Sequence, residues 1–141
     1  IYDCPYILRL SYKQYDQSIC REGPKESLPP INISVSPDTS LEKAKNGMQS
    51  SIEWHENSLK VISKENIQLD NNPAVKIIGI WQLPEGGMRP ELNGTKYEII
   101  FTTKNSIEYN IDLSYLGLNE KESSQYQTTF DQIIQSFKFF D

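Results

Sequence analysis

The strongest signal along the chain is a repeated switch between a hydrophobic period of two and one near 3.6. Residues 6–12 alternate loosely and read as a first strand, followed over 14–30 by a polar, proline-bearing loop. Ile31, Ile33 and Val35 then alternate with Asn32, Ser34 and Ser36, which predicts a half-buried strand stopped by Pro37. Beyond it, Leu41, Ala44, Met48 and Ile52 recur at helical spacing. Thr39 with Glu42 three residues on predicts a capping box at the start of this helix. Its end is expected near Trp54 and His55, before Asn57. From Leu59 the period returns to two, through Val61, Ser63, Ile67 and Leu69, with an irregular middle and a turn over residues 70–73.

Residues 74–83 carry apolar side chains on both faces. Val75, Ile77, Gly79 and Trp81 lie on one, and Ala74, Ile78 and Ile80 on the other. Such a strand belongs in the middle of a sheet. The two prolines and three glycines of residues 84–94 demand a loop. Residues 97–103 and 106–115 follow as a hairpin joined across Lys104 and Asn105. Ile107, Tyr109, Ile111, Leu113 and Tyr115 form one face of its second strand, and Ser106, Glu108, Asn110, Asp112 and Ser114 the other. The last element is a helix capped by Asn119, with Glu120 and Glu122 at the positive end of its dipole. Tyr126, Phe130, Ile133, Ile134 and Phe137 are its apolar stripe. Helices on a mainly antiparallel sheet make the fold class α+β, a central antiparallel β-sheet flanked by helices. No repeat or linker divides residues 1–141, so a single domain is expected.

Composition narrows the function more than it identifies it. The chain has 141 residues, 37% of them hydrophobic and 11% aromatic, enough to build a core without staples. A net charge of −5, with Lys and Arg scattered singly, gives no basic stripe, so nucleic acid is not an expected partner. No apolar run approaches the roughly eighteen residues of a membrane span. The chain begins at Ile1 rather than Met, and the expectation is a processed product or excised domain. Cys4 and Cys20 are an even pair near the N-terminus, and a disulfide between them would contribute about 3 kcal/mol in the chain-entropy model. The alternative is two buried free thiols in a cytosolic protein. Bridging would suit an extracytoplasmic site, secreted or anchored through a removed N-terminal segment.

Side chains with catalytic potential are sparse. His55 is flanked by Glu53 and Glu56, but residues so close along a helix diverge, so the expected place is a solvated helix end rather than a metal site. Serine nucleophiles lack a Gly-x-Ser-x-Gly elbow. Glu108 and Asp112 share the polar face of one strand and are expected to be solvated, where their pKa values would not separate. Glu85, Gly86, Gly87, Met88 and Arg89 follow Pro84 in a loop with no helix after it, so phosphate cradling is not expected. A mobile loop is a place where partners touch, and these five residues are the candidate binding site. No cofactor and no metal is implied. The expected function is a non-enzymatic binding or assembly module for a protein partner, of undetermined oligomeric state. The alternative is a small-molecule or metal-binding enzyme using carboxylates on the sheet. An exposed aromatic patch beside the 84–94 loop would favour the first, and a deep pocket with two buried carboxylates the second.

Four segments carry a resemblance to the PsbP-like family, named for an extrinsic subunit of the oxygen-evolving photosystem. Residues 31–35 leading into 39–42 resemble its strand entering the first helix, and 69–76 its Pro-Ala turn into a central strand. Residues 97–115 resemble its strand pair, and Ile133, Ser136 and Phe137 its closing helix end. Two departures stand out: Asn72 precedes Pro73 where Gly is usual, and Ser11–Tyr12–Lys13–Gln14–Tyr15 replaces an N-terminal Tyr-Pro-x-x-Trp phrase. Nothing matches the photosystem subunit's own N-terminus, so the resemblance implies a non-photosynthetic member. It also implies an α/β/α sandwich used for protein binding or assembly, often outside the cytoplasm and without enzymatic activity.

The cysteine expectation has a simple test. Intact mass under denaturing conditions should rise by two hydrogens on reduction if Cys4 and Cys20 are bonded. Free thiols detected without reductant contradict the bridge and remove its support for an extracytoplasmic site.

Overall fold

The computed structural model describes residues 30–87 and 89–139. The expected strand at 6–12, the loop that follows it and the Cys4–Cys20 bridge lie outside the described residues. Within them the order is β1 (Ile31–Pro37), α1 (Leu41–Ser58), β2 (Leu59–Leu69), β3 (Asn72–Trp81), β4 (Lys96–Lys104), β5 (Ile107–Ser114) and α2 (Glu120–Ser136). The strands form one antiparallel sheet in the order β1-β5-β4-β3-β2. β1 and β2 are therefore the opposite edges, and α1, which joins them, crosses one face of the sheet. The expected α+β class holds. β3 is an interior strand with both faces apolar, and β4 takes the centre.

Each hairpin turn is dictated by its residues. Asp70 and Asn71 take φ of 49° and 61°, the left-handed pair that a tight two-residue turn requires. Leu69 pairs with Asn72, so the turn is these two residues and not the four anticipated. Lys104 pairs with Ile107, which moves the next turn to Asn105–Ser106, with Asn105 at φ 57°. β2 holds the predicted irregularity. Val61 pairs with Gly79 and Ser63 with Ile78, leaving Ile62 as the extra residue of a bulge. That insertion inverts the strand: Leu59 packs on the α1 side of the sheet and Leu69 on the α2 side.

Both helices differ in detail from their sequence patterns. The N-cap of α1 is Ser40, whose side chain accepts from the Lys43 N–H at 3.2 Å, so the Thr39–Glu42 box does not form. The helix runs on to Ser58, through His55. Leu41, placed on the apolar stripe, is 44% exposed because the helix starts beyond the sheet's cover. α2 forms the full capping box between Asn119 and Glu122 that its acidic start suggests.

The sheet separates two cores. Ile52 of α1 packs with Leu59, Ile77, Trp81, Ile99 and Phe101. On the other face Phe130 of α2 packs with Leu69, Ala74, Ile100, Ile111 and Leu113. The Asp70 carboxylate then ties the chain's end to the β2–β3 turn, accepting from the Phe139 N–H at 2.9 Å and Lys138 Nζ at 3.1 Å. Phe130 is fully buried, so Phe130→Ala should cost about 3–5 kcal/mol by chemical denaturation. An unchanged midpoint would mean that α2 does not cover the sheet.

Candidate binding surface

α1 ends over the apolar half of its sheet face, and the aromatic side chains gathered there form one contiguous group. The Trp54 and Trp81 rings meet edge to face with centroids 5.9 Å apart. Trp81 lies 4.8 Å from Tyr97. His55 stacks parallel to Tyr97 at 5.9 Å and meets Phe101 at 5.1 Å. Edge-to-face and offset contacts of this kind add about 0.5–1.5 kcal/mol each beyond their buried area. Trp81 is buried and supports the group from the sheet, whereas Trp54 is 54% exposed. An indole so exposed on a rigid base is an unusual use of the largest side chain.

His55 is no solvated helix end. Its Nδ1–H donates to the Ser51 carbonyl at 2.7 Å, which leaves Nε2 as the lone-pair nitrogen of the neutral ring. Burial lowers its pKa from the ordinary value, and the Ser51 hydrogen bond only partly offsets this. The buried indole N–H of Trp81, by contrast, has no acceptor among the described residues.

Loop 82–95 is rooted beside this aromatic group. The Gln82 N–H donates to the Ser58 carbonyl at 2.8 Å, joining the loop to the end of α1. Asn93 brackets Leu83, accepting from its N–H at 2.5 Å and donating to its carbonyl at 3.1 Å. Leu83 and Leu92 pack against the α1-side core. A short 3₁₀ turn, Pro90–Leu92, stands where no helix was expected, too short to bind an anion at its start. Of the candidate residues, Glu85 and Gly86 are exposed at the tip and Gly87 is half-buried. Arg89 is paired within the loop to Glu91 at 2.5 Å, and Met88 lies outside the described residues. The loop is thus a tethered wall rather than a free tip. Val61 and Ile62, 39% and 61% exposed, are further apolar side chains on the β2 edge, two and three residues past the Leu59 that pairs with Trp81.

Under the other half of α1 the sheet is polar, which corrects the expectation for Glu108 and Asp112. Both face the helix, not bulk water. Asp112 accepts from Asn32 Nδ2 at 3.4 Å and is hydrogen-bonded to the Tyr97 hydroxyl. Burial, and then the Asp112 charge, pushes the Tyr97 hydroxyl well above its ordinary value. Burial, and then Asp38 beside it, raises the Glu108 carboxyl to about 7. The sequence pattern gave the right alternation but not the solvent side, because strand alternation does not say that α1 crosses above these residues.

A family model described as PsbP-like protein matches residues 9–139. A Pseudomonas aeruginosa protein of unknown function, PA94, superposes with a TM-score of 0.54 at 16% identity, over 84% of this chain and 89% of that one. The solution structure of cyanobacterial PsbP from Synechocystis sp. PCC 6803 gives a TM-score of 0.44 at 13% identity, over 78% of this chain and 66% of that one. No curated protein matches the sequence.

The half-buried imidazole, its pKa lowered by burial, makes stability depend on pH with a definite sign. A histidine whose folded pKa is depressed binds fewer protons folded than unfolded, so stability falls as pH drops through the ordinary histidine range. Denaturation of His55→Phe should lose that component between about pH 7 and 5. Identical pH profiles for the two proteins would place the imidazole in water.

Proposed function

The chain belongs to the PsbP-like family, and from that premise we propose that it is a non-enzymatic module that binds a protein partner through the Trp54 surface. Family membership supports a protein-associated role in general terms. The finer reading rests on one observation, the half-exposed Trp54 held on Trp81 and His55 beside loop 82–95. Tryptophan is enriched at the energetic centres of protein interfaces, where one large side chain supplies apolar area and a polar edge. A preorganised ring loses little conformational freedom on binding, which leaves more of its contact energy for affinity. Val61 and Ile62 are further exposed apolar side chains on the β2 edge beyond Leu59, and Glu85 and Gly86 are exposed in the loop rooted beside the aromatic group.

An extracytoplasmic site is part of the proposal, supported by the family's usual setting, and a Cys4–Cys20 bridge is part of the same proposal. No helix among the described residues is long and apolar enough to cross a membrane. The binding reading needs neither cofactor nor metal. An open cavity of about 410 Å³ is lined by Met48, Asn66, Ile67, Gln68 and Pro73 to Val75, and none of these is acidic.

The test is affinity capture from native extract, with bound proteins identified by mass spectrometry and then titrated in purified form. Trp54→Ala should weaken the captured partner at least about tenfold, the loss of one interface hot spot, while the protein stays folded with a melting midpoint lowered only by the lost ring contacts to Trp81 and His55. Equal binding by wild type and Trp54→Ala would overturn the assignment of this surface.

A further inference from the structure

We propose that Asp38 and Glu108 form a proton-operated latch that seats the N-terminal half of α1 on β5. The geometry begins with strand pairing. Ser36 lies opposite Glu108 and Pro37 opposite Ile107, and the Asp38 N–H continues the ladder to the Ser106 carbonyl at 2.7 Å. The first residue past β1 therefore stands beside the Glu108 side chain. From above, the Glu108 carboxyl meets α1 at Gly47. A Cβ there would fall 2.6 Å from Oε2, the far end of a flexible side chain, so at this point the helix backbone and the carboxyl lie in close contact.

The pair has an unmet polar requirement. Asp38 Oδ2 is buried and has no hydrogen-bond partner among the described residues. Two ionised carboxylates are acceptors only, so neither can satisfy the other. One proton held between them supplies the missing donor and removes one of two facing charges. The described residues around the pair offer no close substitute. Opposite Glu108, β1 presents Ser36 and β4 presents Thr103, both uncharged. Along β5 the same face carries Asn110 and the acidic Asp112, which is engaged with Asn32. On α1 the cation one turn before Gly47 is Lys43, which is exposed.

The raised Glu108 carboxyl, at about 7, agrees with this arrangement. The sign follows. A carboxyl raised in the folded state keeps a proton that the unfolded chain has released, so stability falls as pH climbs from the ordinary carboxylate range through about 7. This is opposite to the His55 effect, and it acts at the other end of the helix. Above neutrality Glu108 gives up its proton, and α1 loses its seat over β5 while its far end stays packed on Trp81. The latch stands independently of what the Trp54 surface binds.

Carboxyl ¹³C titration and amide hydrogen exchange test it together. In the intact chain Glu108 should titrate near neutrality, and protection of α1 amides over residues 41–50, corrected for intrinsic rates, should fall about tenfold between about pH 6 and 8. Glu108→Gln, a permanent donor to Asp38, should hold that protection constant across the same range. Where that variant does not fold, Asp38→Asn carries the test, lowering the Glu108 titration towards the ordinary carboxylate range by the part that Asp38 contributes. Glu108 titrating in that range in the unaltered chain, or protection in Glu108→Gln falling as in wild type, would overturn the latch.

Discussion

β4 is buried on both faces, and the rest of the molecule is arranged to keep it so. Ile99 and Phe101 point to the α1 side, while Glu98, Ile100 and Thr102 point to the α2 side, and all five are removed from water. A strand with two apolar faces requires a cover above and below, which is the physical content of a helix–sheet–helix sandwich. Even its one charge obeys this. Glu98 is compensated at depth by the Tyr115 hydroxyl and by Lys76 at 3.5 Å. The bulge at Ile62 serves the same end, because it lets one long edge strand contribute Leu59 to one core and Leu69 to the other.

Because β1 and β2 sit at opposite edges, α1 must travel across the sheet, and its two halves meet different chemistry. Its start lies over Glu108 and the polar side of β5, where the helix backbone at Gly47 lies in close contact with the carboxyl. Its end lies over Trp81, Tyr97 and Phe101, where His55 fills the space and Trp54 overhangs into solvent. One rigid helix thus connects a carboxyl pair sensitive to protons with an apolar surface suited to recognition. The family supplies the fold, and these side chains supply what is particular to this chain.

Much of the architecture was legible in the chain. Clean alternation marked β1 and β5, the 70–73 segment marked a turn although its tight core is only Asp70–Asn71, and Asn119 with Glu122 marked the start of α2. All of these are local signals with a local cause. Failures came where tertiary cover overrides the local pattern. Glu108 and Asp112 looked solvated because alternation reports which residues share a face, not what lies above it. His55 looked exposed because the helix was expected to stop there, yet it continues to Ser58 over an aromatic floor. Residues 85–89 were expected to be the binding site itself, from their loop composition alone; the aromatic group at the end of α1 carried no such local signal. Trp54 was passed over, since nothing in its spacing distinguishes an overhanging indole from a buried one.

The central claim is that recognition takes place at the end of α1 and the adjoining loop. Hydrogen–deuterium exchange of the protein with its captured partner, compared with the free protein, tests this most directly. Added protection over residues 54–62 and 82–95, with α2 unchanged, is the predicted footprint. Protection confined to the outer side of α2, with residues 54–62 exchanging as in the free chain, would contradict it.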